Sequence, residues 1–249
     1  MKLLVLLLLA PSLALSQGLN PSPPGGVRVS YLPDDALTAA HVYWTPGGIV
    51  DRKGNVWVKS GSVVLEPAAS SPFTAGKVGA SGWNLDATAF YTLGSGADVL
   101  DFTGGEYTCH AVFKPARTAG SPILASNGDA GAAGWIMQLD ATNKMKVFSN
   151  GTTKSTAGLV VDQKVNVVSW GRVAGSHYIK LNGAATDSGV AAYTAPTTIQ
   201  SIIGKYPGGF EFQGTIYEIA CSATPWSEAP VAAVHAAVKS WLKPLERGW

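Results

Sequence analysis

Two stretches decide how this chain reads: Tyr107-Thr108-Cys109-His110-Ala111-Val112-Phe113-Lys114, and Gly214-Thr215-Ile216-Tyr217-Glu218-Ile219-Ala220-Cys221-Ser222. Both are short, rich in β-branched and aromatic residues, and bounded by Pro, Gly or Ser, which is the signature of strands that pack on a pleated surface. Each holds one of the two cysteines in the chain. In an extended segment neighbouring side chains leave on opposite faces, so Cys109 and His110 point apart and cannot form a catalytic dyad.

The same pattern repeats on either side. Val56–Val58, Ser62–Leu65, Thr88–Leu93, Trp135–Asp140, Lys144–Ser149, Lys164–Arg172, His177–Leu181 and Ile199–Ile203 are further predicted strands. Asn150-Gly151 and Asn182-Gly183 tolerate positive φ and each reverses the chain between neighbouring strands, while Ala141–Asn143 makes a shorter polar break. Only the C-terminus has helical spacing. Ser227 is placed to cap, Glu228 suits the positive end of the helix dipole, and Val231, Val234, His235, Val238, Trp241 and Leu242 share one face until Pro244 stops the helix and leaves a short Gly248-Trp249 tail.

Composition agrees with an antiparallel β protein. Of 249 residues, 46% are hydrophobic and 14% charged, and 29 Gly with 15 Pro break the chain into many short elements, which excludes a coiled coil and wholesale disorder. A net charge of +2, from 18 basic and 16 acidic residues, offers no phosphate-neutralising surface, so nucleic acid is not an expected partner. Lys2 followed by the apolar run Leu3–Ala10, then Pro11 and the small residues Ala14 and Ser16, reads as a signal peptide over residues 1–16. The run is about half the roughly 20 residues a membrane span needs. Residues 17–40, with Pro21, Pro23, Pro24, Gly25 and Gly26, read as an extended linker, and 41–249 as one domain. The expected compartment is extracellular, cell-surface or periplasmic, where two cysteines form and keep a disulfide; the alternative is a pair of buried thiols.

Three segments resemble the laminin-G-like, concanavalin-A-like jelly-roll family of secreted, lectin-type β-sandwiches. They are Leu100-Asp101-Phe102-Thr103-Gly104-Gly105-Glu106-Tyr107-Thr108 leading to Phe113-Lys114-Pro115, Ser169-Trp170 through His177-Tyr178-Ile179-Lys180-Leu181-Asn182-Gly183, and Gly214-Thr215-Ile216-Tyr217-Glu218-Ile219 with the helix ending at Trp241-Leu242. The resemblance implies an all-β, two-sheet antiparallel sandwich with a short C-terminal amphipathic helix. It also implies that the first and last strands lie side by side, which brings Cys109 to Cys221. That pairing would set Ala111 opposite Ile219 and Phe113 opposite Tyr217. The matching motifs are signatures of fold rather than of an active site.

Chemistry is sparse. A glycosidase needs two carboxylates flanking the scissile bond, and no two acids here are separated by a single residue; Asp34-Asp35, Asp98 with Asp101, and the cross-strand pair Glu106 and Glu211 are the nearest groupings. No Gly-x-Ser-x-Gly, Cys-x-x-Cys or His-Glu-x-x-His occurs, and His41, His110, His177 and His235 lack metal-ligand spacing. Ser126-Asn127-Gly128-Asp129 offers Asn127 and Asp129 oxygens at alternate positions, as in calcium-binding rim loops of the family, although an Asn-Gly-Asp turn needs no ion. Eight Trp and eight Tyr suit sugar stacking. Trp135 and Trp170 sit inside strand patterns and should be buried; Trp83 and Tyr206, beside Gly82 and Pro207-Gly208-Gly209, should lie on loops. The leading expectation is a secreted, non-catalytic module that binds carbohydrate or an extracellular protein at rim loops or a concave sheet face, using Trp83, Asn127, Asp129 and Tyr206, with no required cofactor and an optional calcium at Asn127 and Asp129. A structural component of a surface appendage is the alternative, and a glycoside hydrolase the third reading.

Overall fold

A computed structural model of the chain describes residues 40–44, 55–61, 63–65, 72, 83–86, 89–93, 100, 102, 105–116, 121–128, 133–149, 152–156, 158–190, 193–194, 201–205 and 209–248. The segments read as signal peptide (1–16) and as linker up to residue 39 lie outside the described residues, as do Asp34, Asp35, Asp98 and Asp101.

The described chain is a two-layer antiparallel β-sandwich. Its strands are β1 (Ala40–Trp44), β2 (Trp57–Ser60), β3 (Val63–Leu65), β4 (Trp83–Leu85), β5 (Phe90–Leu93), β6 (Tyr107–Pro115), β7 (Ile123–Ser126), β8 (Trp135–Leu139), β9 (Met145–Ser149), β10 (Thr152–Ser155), β11 (Asn166–Val173), β12 (Ser176–Leu181), β13 (Asp187–Val190), β14 (Ile202–Ile203) and β15 (Gly214–Ser222). The first sheet has the order β13-β12-β11-β6-β15-β4-β3, and β1 also pairs with β15; the second has the order β10-β9-β8-β7-β14-β5-β2. One helix, α1 (Glu228–Trp241), follows β15.

The pairing of β6 with β15 sets Cys109 opposite Cys221 and Ala111 opposite Ile219, and the two sulfurs are bonded. Beyond that point the expected register is corrected. Phe113 faces Ile216 rather than Tyr217, because the ladder shifts between Ile216 and Glu218. A bulge sets two residues against one. Here it turns Tyr217 out of the inter-sheet core, where Ile216 and Ile219 lie, and into a second cluster with Val112, Val167, Val238 and Leu242. The same irregularity divides the far edge of β15, with β4 pairing Gly214–Ile216 and β1 pairing Ile219–Ser222.

Alternation then sorts the first sheet into two faces. Cys109, Ala111, Phe113, Val168, Trp170, Ile179 and Leu181 fill the core between the sheets, against Trp57, Tyr91, Trp135, Met137, Val147 and Ile203 of the second. Trp135 and Trp170 are buried and meet edge to face at 5.5 Å. On the outer face, Val112, Val167, Tyr178, Tyr217 and Ala220 are covered by Val231, Val234, Val238 and Leu242 of the helix side and by Trp226. Ser227 occupies the N-cap position but its hydroxyl makes no capping bond, and Pro244 opens a single 3-10 turn over Pro244–Glu246 rather than a plain tail.

The turns follow their residue chemistry. Asn182 and Gly183 both adopt positive φ between β12 and β13. At the β8–β9 hairpin Asp140 is buried and its Oδ1 accepts from Thr142 N, Thr142 Oγ1 and Lys144 N while Oδ2 pairs with Lys146 at 2.8 Å. Burial alone would raise this carboxyl. The Lys146 ammonium and the converging donors outweigh that and hold it well below the usual carboxylate range.

Candidate functional site

The outer face of the second sheet carries one continuous cross-strand row. Thr153, Phe148, Ile136, Ser126, Ile202, Thr92 and Val58 stand opposite one another in successive pairs. Their neighbours Val147, Met137, Ala125, Ile203 and Tyr91 point into the core. At the β2 end of the row Val58 is 50% exposed, and Phe90, two residues before Thr92, shares its face.

Beside this end lie Gly204–Lys205 and Gly209–Phe212, the two described arms of one segment. Its neck is closed by Phe212 N–H donating to Gly204 O, and its C-terminal arm is tied to β7 by Ile123 N–H donating to Phe210 O at 2.9 Å. At its start, Ser126 Oγ donates to Lys205 O. Phe212 is buried against Phe113. Phe210, only two residues earlier, is 56% exposed. In a regular strand residues i and i+2 share a face. The two rings are separated because Phe210 takes φ +58°, a left-handed conformation costly for a bulky residue. Lys205 Nζ sits 4.2 Å from the centroid of the Phe90 ring and 3.5 Å from Glu211 Oε1. Phe90, Lys205, Phe210 and Glu211 thus place an exposed aromatic ring, a second ring and an ion pair at one rim. Ring faces stack on the apolar faces of pyranoses, and a neighbouring ammonium and carboxylate supply donors and acceptors for hydroxyls.

Of the residues singled out from sequence, the one whose side chain is described, Asn127, is turned into the fold. Asn127 is fully buried; its Oδ1 accepts the Trp135 N–H at 2.7 Å and its Nδ2 donates to Leu100 O at 2.6 Å. The side chain therefore pins its loop to β8, and the close approach of Gly128 and Gly134, where a Cβ would sit 2.5 Å from Ala133 O and 2.6 Å from Asn127 Oδ1, keeps that turn tight. Asp129 lies outside the described residues. Trp83 opens β4 in the first sheet instead of lying on a loop, and its side chain is outside the described residues. Tyr206 is also outside them; Phe210, which the sequence reading did not single out, is the exposed ring among the described residues that follow it.

The proposed carboxylate pair is separated by the fold. Glu106 precedes β6 and accepts from Gly175 N, whereas Glu211 lies near the far end of that strand, where Gly214 pairs with Pro115. Nine residues of β6 at the usual rise put the two ends roughly 25 Å apart, well beyond the separation of a glycosidase pair. His110, His177 and His235 are all buried. Among the described residues no three His, Cys, Asp or Glu cluster in a way that would hold a metal.

No family model matches the chain, and no curated protein does. Solved structures do. The binding domain of botulinum neurotoxin DC in complex with SialylT is similar at a TM-score of 0.59 and 11% identity, over 82% of this chain and 52% of that one. The likeness is one of fold. The same neurotoxin domain in complex with rat synaptotagmin II gives 0.59 and 10% over the same shares. Domain 4 of AbnA, a GH43 extracellular arabinanase from Geobacillus stearothermophilus, in complex with arabinotriose, gives 0.57 and 12% over 80% of this chain and 98% of that domain. This chain spans about half the length of the neurotoxin domains and nearly all of the arabinanase domain. No described helix is long and apolar enough to cross a membrane.

Proposed function

We propose that this sandwich is an exported, non-catalytic carbohydrate-binding module whose ligand stacks on Phe210 and is oriented by Lys205 and Glu211, with Tyr206 in the same loop. The observation that carries the reading is Phe210 itself: a large aromatic residue 56% exposed at a left-handed backbone position, with Phe210 O tied to Ile123 N–H and the buried Phe212 two residues on. Backbone strain and an exposed apolar ring both cost stability, and such features persist at ligand sites. Neighbours of the same fold support it, since their structures include complexes with SialylT and with arabinotriose. The disulfide is consistent with an oxidising compartment.

Calorimetry with oligosaccharides first selected on a glycan array tests the proposal. Phe210→Ala is expected to weaken binding at least about tenfold, equivalent to about 1.4 kcal/mol. No cofactor is required in this reading, so titrations in EDTA and in calcium should superimpose. Absence of any saturable sugar would favour the assembly role, and capture of a defined extracellular protein by the same loop would redirect the reading to a protein ligand.

A further inference from the structure

Beneath α1 a chain of polar side chains crosses the apolar seam between the helix and the first sheet. Gly183 N–H, in the β12–β13 turn, donates to His235 Nδ1 at 3.0 Å. A ring nitrogen that accepts a hydrogen bond carries no proton, so the proton of the neutral ring is on Nε2. That Nε2–H faces Ser169 Oγ at 2.9 Å, and Ser169 Oγ lies 3.4 Å from His110 Nδ1. The remaining His110 nitrogen, Nε2, is 3.9 Å from Glu218 Oε1. Every bond then has one direction: Gly183 to His235, His235 to Ser169, Ser169 to His110, and His110 towards Glu218. All four side chains are buried.

The arrangement works with only one proton on His235. A second proton on Nδ1 would meet the Gly183 N–H head on and place a cation between Val234, Val238 and the sheet. We propose that this chain is an acid-sensitive latch: docking of α1 requires an unprotonated His235 Nδ1, so protonation of the ring releases the helix and uncovers the outer face of the first sheet. The face exposed would be Val112, Val167, Tyr178, Tyr217 and Ala220.

The charged neighbours on each packed element bear on the ring unequally. Burial lowers the His235 ring most, Lys180 on β12 lowers it further, and Glu228 on α1 opposes, leaving it at about 3. For His110 on β6, burial and then His235 push the ring well down, although Glu218 on β15 is close enough to favour the charged form. Ser169 on β11 is uncharged. A histidine whose docked pKa is depressed stabilises docking above its ordinary value near 6.5 and loses that contribution as pH falls towards the docked value. With a ring near 3 docked and about 6.5 released, His235 alone shifts the docking equilibrium about 30-fold towards release between pH 7.5 and pH 5.

Hydrogen exchange on the full chain tests this, with protection factors taken against the intrinsic rate at each pH. Amides of α1 from Val234 to Trp241 are expected to be less protected than the β6–β15 ladder, and to lose at least about 30-fold of protection between pH 7.5 and pH 5. In His235→Gln, whose amide can accept from Gly183 and donate to Ser169, the part of that loss due to His235, about 30-fold, should disappear. Helix protection that does not change with pH, that equals the ladder at every pH, or that falls equally in His235→Gln overturns the latch. A readout needing no variant is the ring nitrogen shifts of wild-type His235 at pH 7.5: unprotonated Nδ1 with protonated Nε2 supports it, and the reverse tautomer overturns it.

Discussion

Replacing Cys109 and Cys221 together by alanine removes the only covalent tie in a sheet whose central strands come from distant parts of the chain. The two residues are 112 positions apart and directly opposite on β6 and β15. In the chain-entropy description a loop of that length costs the cross-linked unfolded chain about 5 kcal/mol of freedom at 25 °C, all of which returns when the bond is lost. Both residues are fully buried in the inter-sheet core, so two alanines fit the same pleat without a polar penalty. Domains of this kind are typically stable by about 5 to 15 kcal/mol, so the variant should remain folded or sit at the edge of folding at 25 °C. With a urea dependence of about 2 kcal/mol per molar, the midpoint should fall by up to about 2.5 M. Equilibrium urea unfolding followed by tryptophan fluorescence reads this, alongside thiol titration of the wild type in denaturant, where no free thiol is expected. A midpoint within about 0.3 M of wild type, or two titratable thiols, would refute the reasoning.

Phe210→Gly relieves a left-handed residue and removes the exposed ring, so it should raise stability by about 1 kcal/mol while abolishing sugar binding, as read by urea unfolding and calorimetry. Asp140→Asn removes the pairing with Lys146 and should cost about 1 to 2 kcal/mol at pH 7. Because the folded-state carboxyl is held below its unfolded value, the difference between variant and wild type should shrink as the pH is lowered through about 4 and vanish in strong acid. Gly171→Ala should prevent folding or cost more than about 3 kcal/mol by thermal denaturation, since its Cβ would lie 2.2 Å from Tyr107 O on the neighbouring strand.

Much of the architecture was legible because strand identity and pairing rest on local alternation. Gly214–Ser222 was bounded as observed, and β6, β8, β9, β11 and β12 were placed to within two residues at either end. What escaped was set by tertiary context. β4, β7, β10 and β13 are three or four residues long, too short for alternation to declare itself, and they exist because a longer strand offers an edge. The shift at Tyr217 was invisible because a bulge is a backbone event that leaves the residue pattern intact. The candidate site was less legible than the fold. Gly208-Gly209 marked the loop and Tyr206 its aromatic character, but Phe210 and Phe212 look equivalent by period two; only the sign of φ at Phe210 sends one ring out and the other in. Asn127 failed for the opposite reason: an Asn in an Asn-Gly turn reads as a rim ligand, yet its amide is spent on Trp135 and Leu100 inside the fold.

The most direct test of the sugar-binding proposal is an amide chemical-shift map of the labelled protein during titration with the best array oligosaccharide. Saturable changes should concentrate in Gly204–Phe212 and at Phe90 and Thr92, and be lost in Phe210→Ala. Saturable changes centred on the first sheet or the helix, with this loop silent, would contradict it.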